Sequence, residues 1–174
     1  MQEADLQVVC QATLAALGLR HGLFHAEFMA CADGIVPIDV AARGGGVLIY
    51  GQVIPHVSGV DVNRAMIDLA MGQRPVIAPL ATRRCANIEF LRMPAGRVEG
   101  VLNVAQAAAV ADVAAIVFNV APGDQVGAID DKDQRPGYIV ALSDASRAAI
   151  AACAQARALL RVRMQGVDQP MALS

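Results

Sequence analysis

Aromatic residues are scarce, at 3% of the 174-residue chain, and lysine is nearly missing: of the 14 basic residues, 13 are arginine and one, Lys132, is lysine. A mechanism that needs several lysines to hold phosphates within this chain is excluded. The four cysteines, Cys10, Cys31, Cys85 and Cys153, form no Cys-x-x-Cys pair. That argues against a zinc site and a disulfide framework and for buried free thiols in a reducing cytosol. A net charge of −2 gives no basic field for nucleic acid. The longest apolar stretch, Val101 to Ala121, contains Asn103, Gln106, Asp112 and Asn119, too polar for an isolated spanning helix. The opening Met-Gln-Glu-Ala-Asp is acidic, opposite to a secretory or organellar leader. What is abundant is aliphatic mass. Hydrophobic residues are 56% and charged residues 17%, enough for a sizeable core of helices packed on a sheet.

Leu6, Val9, Cys10, Leu14 and Leu17 predict a helix over residues 4–18, closed by Gly18 and Gly22. Residues 22–30 and 35–43 read as two strands joined at Ala32-Asp33-Gly34, a hairpin signal. Gly44-Gly45-Gly46 follows. Val47 to Val57 is ambiguous between strand and helix, and Asp61 to Met71 reads as a helix ended by Gly72 and Pro75. Broken periodicity near residues 73–86 marks a boundary. Beyond it the pattern predicts strands at Asn87–Met93, Arg97–Val101, Val113–Val120 and Gly137–Leu142, and a short helix at Asn103–Val110. Ser143 is expected to cap a helix running to about Val162. Asp130, Asp131 and Asp133 read as a solvated loop, since they lack the glycine and final glutamate of a calcium loop. His21, His25 and His56 have no metal-triad spacing.

The chemistry is expected in residues 23–46. Side chains alternate across a strand, so Leu23, His25, Glu27 and Met29 share one face, as do Pro37, Asp39, Ala41 and Arg43. A turn centred on Asp33 would pair 27 with 39, 29 with 37 and 25 with 41. Glu27 and Asp39 would then be cross-strand neighbours, and two such carboxylates repel unless something positive lies between them. A hard cation such as Mg²⁺ suits that place, completing its shell with water and phosphate. Arg43 on the same face can hold an anion bidentately. The opposite face, Phe24, Ala26, Phe28, Val36, Ile38 and Val40, is apolar and expected to be core.

Leu19 to Gly59, with its Glu27–Asp39–Arg43–Gly45–Gly46 run, resembles the C-terminal half of the ATP-grasp ligases, in particular the amino-acid ligase and carnosine-synthase-like branch. Residues 86–162 are similar to that branch's C-terminal cap. The resemblance implies an α+β fold: part of an ATP-grasp core over residues 1–80, an antiparallel sheet with helices, and a small α/β cap subdomain over 86–165. It implies Mg²⁺, or Mn²⁺ in its place, on Glu27 and Asp39, adenine of ATP against Met29, and a phosphoryl group or acyl-phosphate stabilised by Arg43. The Gly45 and Gly46 backbone would approach the carboxylate substrate, with His25 lining the pocket. Asp39 stands where the family usually has Glu, and Ala41 where many members have an Asn ligand.

The implied reaction is attack of a carboxylate on the γ-phosphate of ATP, then displacement by an amine to form an amide. The family's amino-terminal domain and lid, with the phosphate-binding lysines, would precede residue 1, so the isolated chain is expected not to ligate. The alternative is a non-catalytic remnant or dissected domain acting as a structural or oligomerisation module. Expected partners are small carboxylate and amine substrates and either a second copy or the missing amino-terminal domain, with no nucleic acid or membrane; the expected location is the cytoplasm.

Overall fold

The computed structural model describes residues 3–46, 48–81 and 84–173. The chain divides into two compact units, Met1–Leu80 and Ala81–Ser174.

In the first unit, helix α1 (Glu3–Ala16) packs on the second strand of a hairpin, β1 (His25–Cys31) and β2 (Gly34–Ala41). Its expected stripe is real: Leu6, Val9, Cys10 and Leu14 are half-buried, while Leu17 is exposed. The ambiguous segment after the glycine run is helical, a π-helical turn at Ile49–Val53 continuing into α2 (Ile54–Ser58); Val47 lies outside the described residues. Helix α3 (Val62–Ala70) is capped by Asp61, whose carboxylate accepts from the Arg64 amide at 2.9 Å. Gly72, at φ 71°, ends it. Of this unit's described residues only Val62 and Ala65 form buried apolar core.

The second unit holds the core. Its strands are β3 (Cys85–Arg92), β4 (Gly96–Leu102), β5 (Val113–Phe118), β6 (Gln125–Val126), β7 (Gly137–Ser143), β8 (Arg161–Met164), β9 (Val167–Pro170) and β10 (Ala172–Leu173). They form two antiparallel sheets, ordered β10-β3-β7-β5 and β6-β4-β8-β9. Helix α4 (Val104–Ala108) packs on β5 and on α5 (Ser146–Leu159), and α5 packs on β3 and β7. Ala149, Ala152, Cys153 and Ala156 are the buried face of α5, at helical spacing. These short side chains let the helix lie close over Leu91 and Ile139, both fully buried. An ion pair fixes the helix on the sheet: Arg157 Nε lies 2.6 Å from Glu89 Oε1, with both side chains largely buried.

Two expectations for this unit are corrected. Ser143 is the last residue of β7 and not a helix cap; α5 begins after Ala145, which makes no side-chain cap. The helix also stops at Leu159, and Val162 belongs to β8, where it is fully buried opposite Val101. Beyond it, β9 and β10 lie in a tail to which the pattern gave no structure. Residues Thr82 and Arg83, inside the expected boundary, lie outside the described residues.

Candidate functional site

The β1–β2 hairpin positions the candidate residues. Its turn uses two residues, Ala32 and Asp33, so that Cys31 opposes Gly34. Continued without interruption, that register would set Glu27 opposite Ile38. A bulge intervenes: Phe28 opposes Pro37, Glu27 opposes Asp39, and Ile38 is the extra residue. His25 opposes Ala41, as expected from the sequence. The expected pairing of 29 with 37 is corrected, because Met29 opposes Val36.

The bulge also changes the faces. Pro37 moves to the face of Phe28, and Val36 joins the face of Met29 and Glu27. Val36 and Ile38 are therefore not core; they are 48% and 56% exposed. Phe24, Ala26, Phe28 and Val40 are half-buried, which leaves the apolar face partly as read. Strand β1 carries no extra residue, so Glu27 and Met29 share a face, and both are exposed. Asp39 is exposed too. His25 Nε2 lies 3.3 Å from Glu27 Oε1.

Arg43 stands outside the strand, because β2 ends at Ala41 and not at residue 43. Strand alternation no longer fixes its direction. Its Nη1 donates to the Gly44 carbonyl at 2.8 Å, and it borders an open cleft of 320 Å³ whose wall includes His21, Leu23, Met66, Leu69 and Ala70.

Tyr50 is the residue that the sequence reading missed. Its hydroxyl donates to the Phe24 carbonyl at 3.0 Å, tying the π-helical turn to the start of β1. The ring lies under the glycine run. A Cβ on Gly45 would come within 3.1 Å of Tyr50 Cε2 and 3.3 Å of His25 Nδ1, whereas one on Gly46 would meet open space. Gly44 and Gly45 thus lie close against this ring, and a side chain at either would have to displace it. Burial raises the Tyr50 phenol above its ordinary value of 10.0, partly offset by the charge of Arg43 and the Gly45 amide. The one available signal was a tyrosine five residues after Gly45 in a chain with only two tyrosines.

Among the described residues, no group of three or more His, Cys, Asp or Glu side chains is placed to hold a metal ion by itself. No helix among them is long and apolar enough to cross a membrane. The acidic loop at 130–133 is exposed, and Asp131 caps the short 3₁₀ turn at Lys132–Gln134.

The fold is shared with two solved structures. One is phosphoribosylglycinamide synthetase from Anaerococcus prevotii, at TM-score 0.79 and 12% identity over 95% of this chain and 43% of that one. The other is L-amino acid ligase from Bacillus licheniformis, at TM-score 0.74 and 17% identity over 95% of this chain and 42% of that one. The chain thus spans less than half the length of either. No curated protein matches it in sequence. Its mixed α/β architecture with antiparallel sheets is similar to that of the carboxy-terminal portion of an ATP-grasp ligase, as the sequence resemblance implied. Residues 89–165 match the family described as L-amino acid ligase C-terminal domain 2.

Proposed function

We propose that this chain is the carboxy-terminal portion of an ATP- and Mg²⁺-dependent carboxylate–amine ligase, which forms an amide through an acyl-phosphate. The observation that carries the reading is the hairpin register, in which a bulge at Ile38 brings Asp39 opposite Glu27. The donor set fits the cation. Both residues offer hard oxygen ligands on an exposed surface, with room for water and phosphate oxygens to complete a shell. Glu27 and Asp39 would hold Mg²⁺, or Mn²⁺ in its place, and the cation would supply charge neutralisation on the ATP phosphates. Met29 would lie against adenine. His25, hydrogen-bonded to Glu27, orients that carboxylate. Tyr50 sets the Gly44–Gly45 backbone, beside which Arg43 stabilises the phosphoryl group and the acyl-phosphate. Gly45 and Gly46 would lie along the carboxylate substrate. Such transfer depends chiefly on positioning and electrostatics.

Small carboxylates and amines are the proposed substrates and the cytoplasm the proposed location. The remaining groups of the site would come from an amino-terminal portion, so the chain alone would not ligate. Titrating ¹⁵N-labelled chain with Mn²⁺ tests the metal site. Amide signals of β1 and β2 should broaden first, and Glu27→Gln with Asp39→Asn should remove the effect. Broadening that survives the double variant, or that is confined to residues 130–133, would rule the site out.

A further inference from the structure

The tip of the β1–β2 hairpin carries a reactive pair of residues that the proposed ligation does not use. Asp33 alone among the chain's aspartates is followed by glycine, and no asparagine is. A side chain on the following residue shields its amide nitrogen from the aspartyl carboxyl, and every other aspartate has such a neighbour. Ala32, Asp33 and Gly34 are all exposed. Gly34 stands at φ 138°, and a Cβ there would meet nothing within 4 Å. Other aspartates are committed to partners: Asp61 and Asp131 cap helical turns, and Asp168 holds Arg163. The Asp33 carboxylate has no hydrogen-bond or ion-pair partner among the described residues, so it is free to rotate onto the next amide.

The strands behind this tip restrain it little. β1 and β2 form a sheet of two strands only, with α1 packed on β2. A two-stranded hairpin is marginal in water, and exposed turns with few buried contacts open at low cost. Opening lets the Gly34 amide leave its place opposite Cys31 and approach the Asp33 side chain.

We infer that Asp33–Gly34 is a site of spontaneous isoaspartate formation in the folded chain. The Gly34 nitrogen attacks Cγ of the protonated Asp33 carboxyl. The N–Cγ bond forms, the Cγ–OH bond breaks, and the hydroxyl leaves with the amide proton as water. Solvent water then opens the five-membered imide. Addition at Cγ breaks the N–Cγ bond and restores aspartate. Addition at the main-chain carbonyl breaks its bond to the Gly34 nitrogen and leaves the chain running through the Asp33 β-carbon. That product lengthens the two-residue turn by one backbone atom beside the Cys31–Gly34 pair. The inference rests on the hairpin and not on the ligase reading.

The test is to age the purified whole chain at neutral pH and physiological temperature, folded and, in parallel, unfolded in urea. Isoaspartate is counted by transfer of a labelled methyl group from S-adenosylmethionine by an isoaspartyl methyltransferase. It is placed by peptide mapping with a protease that cuts before aspartate and not before isoaspartate. Label should accumulate at Asp33 in the folded chain, at least tenfold faster than at any other aspartate and within tenfold of the unfolded rate. Asp33→Glu, which would have to close a six-membered ring, should remove it. A folded chain that gains label more than tenfold more slowly than the unfolded chain would show that the turn holds Gly34 in place, and would overturn the inference. So would label that survives Asp33→Glu, or label that maps chiefly to another aspartate.

Discussion

At the scale of single residues, Tyr50 explains why two glycines stand together beside Arg43. A Cβ at Gly45 would press on the Tyr50 and His25 rings, and one at Gly46 would not. Gly45→Ala should therefore cost about 1–3 kcal/mol through overpacking, while Gly46→Ala should stay within about 0.5 kcal/mol. Urea unfolding followed by the Tyr50 signal in a Tyr138→Phe background measures both. A larger loss at Gly46 than at Gly45 would contradict the packing. The same tyrosine gives a pH dependence. Burial lifts its folded pKa above the unfolded 10.0, favouring the neutral phenol. Its contribution to stability is fully present below pH 10 and is lost as pH rises through the folded value. The phenolate would also lose the proton it donates to Phe24. Ultraviolet titration in the Tyr138→Phe background should place the midpoint above that of free tyrosine. A midpoint at or below the free value would remove this account of Tyr50.

At the scale of elements, the hairpin was legible in its existence and in the pairing of the half away from the turn, but not in the length of the turn or the register beside it. Asp33-Gly34 and strand alternation were enough to pair Glu27 with Asp39. They gave the right pair although the turn has two residues and not the three-residue span expected, because the bulge at Ile38 offsets the difference. Pro37, which cannot donate to a ladder, was the one sign of a bulge beside Ile38; strand alternation read without it assigned Val36 and Ile38 to the wrong surroundings. Helix α5 illustrates another limit. Alanine continues the helical pattern in either direction, so its sequence does not mark where it ends. Short strands such as β8 and β9 owe their existence to pairing with β4 and with one another, which local periodicity does not encode. Tyr50 escaped because its role lies in a contact 26 residues away, at Phe24. The β5–β7 pair offers a test of element packing. A Cβ on Gly137 would collide with the Val117 carbonyl, whereas one on Gly100 in β4 would meet nothing within 4 Å. Gly137→Ala should destabilise the second unit by about 3 kcal/mol, and Gly100→Ala by less than about 1 kcal/mol. Urea midpoints from far-ultraviolet circular dichroism would separate them; equal midpoints would mean that β5 and β7 do not approach so closely.

At the scale of the whole molecule, the two units differ in how well they bury their own apolar side chains. The second has a continuous core running from Leu91 and Val98 through Ile139 and Cys153 to Met171. The first buries Val62 and Ala65 among its described residues and exposes Met66, Ile67, Met71, Val76 and Ile77, with Val76 at 85% and Met71 at 71%. Exposed apolar side chains in that number predict that this unit associates. With the purified chain alone in solution, a second copy is the cover expected. Sedimentation of the purified chain at micromolar concentration should show a species of at least twice 18.1 kDa. The pair Met71→Ser and Val76→Ser should shift it toward monomer by removing apolar area that only association buries, at about 25 cal/mol per Å². The substitutions should leave the second unit's circular dichroism and unfolding midpoint unchanged, since both lie outside its core. A wild-type chain that sediments cleanly at 18.1 kDa would show that these side chains tolerate water. An oligomer indifferent to both substitutions would place the contact on another surface.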